Sequence, residues 1–155
     1  MSNTQGRDFN EVYGLNFEDL KLGQTASLSR TVSEADILMF AGVSGDNNPV
    51  HMDEAYAART PYRGRIAHGL LSASFGSAVV GTQLPGAGAI YLHQTLEFKK
   101  PVRIGDRVTA RVTVAAIDEV GARVTLKTEG YVGDELVMGG EALVRVPRRR
   151  KPAKA

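Results

Sequence analysis

The segment HGLLSASFGSAVVGTQL, residues 68–84, constrains this chain more than any other. It is apolar or small almost all round, and it runs into LPGAG, where Pro85 and two glycines stop a helix. A helix of that composition is buried rather than surface-lying. Gly69, Ser72, Ala73, Gly76, Ser77 and Ala78 are small enough to let other backbone approach closely. After residue 88 the pattern changes. AIYLHQTLEFKKPV, DRVTARVTVAAID, ARVTLKTEGYV and ELVMGGEALVRV are β-rich, and IGD, EVG and VGD between them read as hairpin-type turns. Alternation is clearest in the second segment, where Val108, Ala110, Val112 and Val114 share one face. An antiparallel sheet with one apolar face has to cover that face, and the one long apolar helix is the natural cover. The expected fold is α+β: four strands in a meander, part of an antiparallel sheet wrapped around a long central helix.

Upstream, TASLSRTVS reads as a short strand. Ser33 followed by Glu34, Ala35 and Asp36 resembles a capping box, with Asp where Glu or Gln is usual. EADILMFAGVSG then places Ile37, Phe40 and Ala41 on one helical face, with Gly42 near the end. MDEAYAART is a second short helix, stopped by Pro61. No internal repeat or interior linker interrupts the chain, whose 155 residues suit one domain. The expected division is a disordered N-terminus over 1–14, a domain over 15–146 and a basic disordered tail over 147–155. The net charge of +2 is a tail property: the last ten residues hold five basic groups, and the rest sets 14 basic against 17 acidic residues. Five tail charges without an aromatic do not argue for a nucleic-acid partner. With no cysteine, no apolar leader and no run of about 20 apolar residues, the reading is a soluble, cytoplasmic protein without a membrane segment.

Between the two short helices lies SGDNNPVHMD, residues 44–53, with Asp46 and His51 five positions apart. Gly, Asn, Asp and Pro all favour turns, so the spacing alone allows a plain loop: Asp46 in an Asx-turn, His51 capping the next helix. Spacing alone favours that plain loop, but the same residues also suit a stiff loop that aims one carboxylate and one imidazole at the same small volume. Asp46, His51, Asp53 and Glu54 lack a recognised metal-ligand spacing, so no metal is expected. PGAGA lacks the Lys and Ser/Thr of a phosphate loop.

FAGVSGDNNPVH, AHGLLSASFGS and LEFKKPVRIGDRV, in that order, resemble the MaoC-like branch of the hot-dog fold, the (R)-specific enoyl-CoA hydratases. Phe40, Gly45, Asp46, Asn48, Pro49, Val50 and His51 fill every fixed place of that family's hydratase motif, and the resemblance spans residues 15–146. It implies a hydro-lyase of fatty acid metabolism that adds water to trans-2-enoyl-CoA, giving (R)-3-hydroxyacyl-CoA. Asp46 and His51 would be the catalytic pair, and the backbone N–H of Gly69 would bind the thioester oxygen. Ser77 matches a serine near the catalytic carboxylate, and Asn48, Ser77 and His68 are the expected substrate-binding residues; His68 would also orient the turn into the helix. The partners implied are an acyl-CoA thioester and a second copy of the chain, joined sheet edge to sheet edge, with no cofactor beyond the CoA of the substrate.

Such a reaction has three needs: a water deprotonated as it attacks C3, a proton at C2, and a sink for negative charge on the thioester oxygen. A carboxylate and an imidazole sharing one water serve the first two. The N-terminus of the buried helix, with its unpaired N–H groups and no side chain at Gly69, serves the third. An acyl-CoA thioesterase on the same fold and a non-enzymatic acyl-CoA-binding regulatory domain are the alternatives.

Overall fold

The computed structural model describes residues 14–149. The expected N-terminal extension, save Gly14, and the tail beyond Arg149 lie outside these residues. The chain begins with a 3₁₀ turn, Phe17–Asp19, and continues through β1 (Thr25–Thr31) and α1 (Glu34–Ser44). Two one-turn helices follow, α2 (Pro49–Met52) and α3 (Glu54–Ala57), then α4 (Gly69–Thr82). The strands β2 (Ile90–Gln94), β3 (Glu97–Phe98), β4 (Arg107–Asp118), β5 (Arg123–Val132) and β6 (Glu135–Arg145) complete the domain.

The capping box at α1 forms as read: Ser33 accepts the Asp36 N–H, and the Asp36 carboxylate accepts the Ser33 N–H at 2.8 Å. The helix runs past Gly42 to Ser44, because Gly45 at φ 78° supplies the left-handed turn that ends it. Segment 90–98 is two short strands, interrupted at Thr95 and Leu96.

The sheet is antiparallel, in the order β1–β4–β5–β6–β2, with β3 also on β6. The expected four-strand meander therefore holds only for β4, β5 and β6. β2 lies at the far edge, beside β6. The reason is residues 99–106, which carry the chain from β3 back across the sheet and bond α4's approach on the way, Ala67 N–H to Val102 O at 2.7 Å.

The sheet's concave face closes on α4. Val108, Ala110, Val112 and Val114 of β4, with Val124 and Leu126 of β5, are almost fully buried beneath it. Each buried Val or Leu stabilises by about 1.5–3 kcal/mol. α4 buries Leu71, Ser72, Phe75, Gly76, Val79 and Val80, pairs four residues apart that form one stripe. Its composition suggests burial all round, yet Leu70 is 58% exposed, so in a single chain the opposite face stands open. Residues 147–149, grouped with the tail by composition, run beside the 3₁₀ turn. Pro147 O accepts the Phe17 N–H at 2.9 Å, Arg148 stacks over the Phe17 ring at 4.7 Å, and Arg149 pairs with Asp19.

Candidate active site

Asp46 is the first residue beyond the Gly45 turn. Its carboxylate accepts the Asn48 N–H at 3.2 Å, so the Asx-turn is real. Asn48 Oδ1 in turn accepts the Val50 N–H at 3.2 Å, and Pro49 opens α2. These bonds tighten residues 46–48 into a turn that leads straight into α2, and α2 presents His51 inward, 9% exposed, while Asp46 remains exposed. Turn-making and aiming are thus the same structure, and the two readings of the loop do not compete.

The protonation pattern of the two histidines follows from their partners. His51 Nδ1 lies 2.8 Å from Ile66 O, and a carbonyl only accepts, so Nδ1 carries the proton and Nε2 keeps a lone pair. Burial holds the His51 pKa below its usual value, and the nearby His68 and Arg65 push the same way; the Ile66 hydrogen bond and Asp46 push back. His51 is therefore a neutral base at pH 7. His68, 2% exposed, donates from Nε2 to the Asp46 carbonyl at 2.9 Å, which leaves Nδ1 as an acceptor. The two rings stack at 4.0 Å, and Phe40 packs on His68 at 5.0 Å. His68 thus ties the start of α4 to the Asp46 turn.

Gly69 begins α4. His68, at the N-cap, provides no side-chain cap, so the first-turn N–H groups are left for a ligand or solvent. Phe98 of β3 lies against Gly69 closely enough that a β-carbon there would stand 2.8 Å from the ring. A cavity of about 360 Å³ joins these pieces, with Asp46, His51, His68, Gly69, Ser72 and Phe98 in its wall. Ligand-type atoms of Asp46, His51 and His68 all lie within 4.8 Å of one another, close enough to hold a single water or ion in common. Asp53 and Glu54 are engaged elsewhere, Asp53 capping α3 and Glu54 accepting the Arg65 N–H.

Asp46, His51, His68 and Gly69 are brought together. Asn48 is used up as a cap and is outside the cavity wall, because its oxygen faces α2. Ser77 is in a second cavity of about 350 Å³, with Tyr91, Gln94 and Thr128, separated from the first by Met138. Eight residues along a helix advance about 12 Å, so within one chain Ser77 cannot sit beside Gly69. Phe98 and Ser72 are contributors that sequence alone did not mark. The buried Ser72 hydroxyl, like His68 Nδ1, has no protein hydrogen-bond partner, and both residues line the cavity.

The MaoC like domain matches residues 19–135. An (R)-specific enoyl-CoA hydratase of Rhodospirillum rubrum is 56% identical over 133 residues, covering 86% of this chain and 92% of that protein. A 3-hydroxybutyryl-CoA dehydratase of Methylorubrum extorquens is 50% identical over 141 residues, covering 91% and 90%. Among solved structures, the unliganded R-hydratase PhaJ1 of Pseudomonas aeruginosa superimposes with a TM-score of 0.83 at 39% identity, covering 93% of this chain and 95% of that one.

Proposed function

The chain belongs to the MaoC-like family, and from that premise we propose that it is a hydro-lyase interconverting trans-2-enoyl-CoA and (R)-3-hydroxyacyl-CoA. The observation that carries the reading is the pairing of a neutral His51, its Nε2 lone pair free, with the Asp46 carboxylate in one cavity at the uncapped start of α4.

The arrangement meets the three needs of the reaction. Asp46 and His51 Nε2 each accept a hydrogen from one water and hold its oxygen toward C3. As that oxygen bonds to C3, the C2=C3 electron pair moves toward the thioester oxygen. The Gly69 N–H and the dipole of α4 stabilise the charge that grows there, an effect worth about 3 kcal/mol for one such donor. One hydrogen of the water remains in the new hydroxyl. The other passes to one of the two bases and from there to C2, so atoms and charge balance. No electron is transferred overall, and CoA enters as part of the substrate, so no further cofactor is needed. The space between the Asp46 carboxylate and His51 is where that water would sit, with His68 holding the Asp46 turn through its backbone carbonyl. Lys99 and Lys100 also line this cavity; each is paired with a carboxylate, Glu97 at 2.7 Å and Glu135 at 3.2 Å, and such exposed pairs are weak enough to be exchanged for the phosphates of CoA.

Among the described residues no helix is long and apolar enough to cross a membrane. We infer a cytoplasmic location, because a substrate bearing the charges of CoA stays where it is made. We also infer a homodimer joined through the β2–β3 edge. Ile90, Tyr91, Leu92 and Phe98 are exposed there, and an open apolar edge invites a second strand.

Replacing Asp46 by Asn keeps the size of the side chain and most of its turn bonding but removes the base. kcat should fall by about 10²-fold or more while the circular dichroism spectrum and the melting temperature stay near those of the parent. An unfolded variant, or activity within a few fold of the parent, would contradict the role assigned to Asp46.

A further inference from the structure

His51 is gripped by residues that follow it by fourteen and fifteen positions. Its ring donates to Ile66 O, the Ile66 N–H donates to Val50 O at 3.3 Å, and Arg65 Nε donates to the His51 carbonyl at 2.6 Å. The rest of the Arg65 guanidinium forks onto Glu34 in the first turn of α1, with contacts of 3.1 and 2.9 Å. Its backbone N–H is also bonded, to Glu54 Oε2 at 3.2 Å. The Arg65 side chain is only 15% exposed, unusual for a residue that ordinarily keeps its charge in water. A lysine could make one of these bonds but not the fork and the carbonyl contact together.

The position of Glu34 gives this geometry a purpose. Asp46 leaves the C-terminal end of α1, and Glu34 begins the same helix. A bridge from Glu34 through Arg65 to the His51 carbonyl therefore references both members of the reacting pair to α1. We propose that Arg65, tethered by Glu34, is a positioning residue that holds the α2 turn so that His51 Nε2 stays aimed into the cavity beside Asp46. This rests on His51 being one of the reacting pair, as inferred above.

The groups facing His51 are the Asp46 carboxylate, the Arg65 guanidinium and the titratable His68 ring, with Glu34 and Glu54 partly neutralising Arg65. Arg65 thus has two separable actions, one geometric and one electrostatic. Arg65→Met removes both. It should lower kcat by roughly 10- to 100-fold, leave KM within about threefold, and move the acid limb of the kcat/KM–pH profile to higher pH. Glu34→Gln loosens the tether but leaves a less neutralised cation beside His51. It should lower kcat by a smaller factor and move the acid limb to lower pH. Arg65→Lys should lower kcat by an intermediate factor without moving the limb. Opposite displacements of one limb do not arise from a general loosening of the fold. His51→Ala separates the two levels of inference. If it is inactive while Arg65→Met keeps kcat within threefold and an unmoved limb, the positioning role is overturned. If His51→Ala stays active, the reacting pair itself is overturned and this role with it. Should Arg65→Met not fold, full kcat with an unmoved limb in both Glu34→Gln and Arg65→Lys overturns the proposal.

Discussion

Gly69→Ala separates the two roles that Gly69 plays, close packing and access to a backbone donor. The added methyl would stand 2.8 Å from Phe98 Cε1 and 3.0 Å from Cδ1 and Cζ, too close to remain there. Phe98 is 51% exposed, so the ring can swing outward rather than force the backbone apart. Alanine is also favoured over glycine in a helix by up to about 1 kcal/mol, which offsets the displaced contact. The net change in stability should stay within about 1 kcal/mol, a few degrees in Tm for a domain of this size. Activity should respond much more. The N–H survives, but a methyl now lies beside the path by which a thioester oxygen reaches it. Losing most of an interaction worth about 3 kcal/mol lowers kcat/KM by roughly 10²-fold. The assay is the loss of enone absorbance with an enoyl-CoA, run on Gly69→Ala, Phe98→Ala and the double variant. If the methyl obstructs the thioester itself, Phe98→Ala does not restore activity to Gly69→Ala; if the displaced ring is the obstruction, it does. A Gly69→Ala protein within threefold of the parent would refute thioester binding at this terminus, and one that fails to fold would refute the packing estimate.

The acid side of the pH profile follows from two groups. Burial lowers the His51 pKa from its ordinary 6.5, so kcat/KM should hold at that pH and decline only below it; an acid limb above 6.5 would contradict His51 as the neutral base. The Asp36 carboxyl is lowered from its ordinary 3.8 by the Ser33 hydroxyl, the Ser33 N–H and Arg30, so its contribution to stability is full above that value and lost as pH falls through the folded one. Asp36→Asn should therefore cost about 1–2 kcal/mol in urea unfolding at pH 7, a gap that narrows toward pH 3; an equal gap at both would show that the charge is not involved. Deleting residues 150–155 should leave kcat unchanged and KM within about threefold, near 0.6 kcal/mol, because at physiological salt exposed charges interact little beyond about 8 Å. Deleting from Arg148 onward should leave the same kinetics but lower stability by about 1 kcal/mol, since the stack on Phe17 and the pair with Asp19 go with it; a large rise in KM at physiological salt in either deletion would place the tail in the CoA site.

Local periodicity and local chemistry made much of this molecule readable in advance. α4 and the buried face of β4 follow from apolar spacing, and the start of α1 from its cap, because those signals lie within a few residues of the elements they specify. The position of β2 was not readable, because pairing with β6 depends on the path of residues 99–106 rather than on any property of β2 itself. α2 escaped notice because four residues are too few to show a period. At the site, Asp46, His51 and Gly69 came from a motif, whereas Phe98 and Arg65 act across the fold and carry no local mark. The separation of Ser77 from Gly69 was different: the rise of a helix was enough to foresee it.

The most direct test of the central claim is to incubate the purified protein with a four-carbon trans-2-enoyl-CoA. Enone absorbance, free thiol and the configuration of the product are then followed together. The account predicts that absorbance falls, that no thiol appears, and that the 3-hydroxyacyl-CoA formed is the (R) isomer. Release of thiol would show a thioesterase, binding without turnover would show a regulatory domain, and an (S) product would show that the water is held on the opposite face from the one proposed.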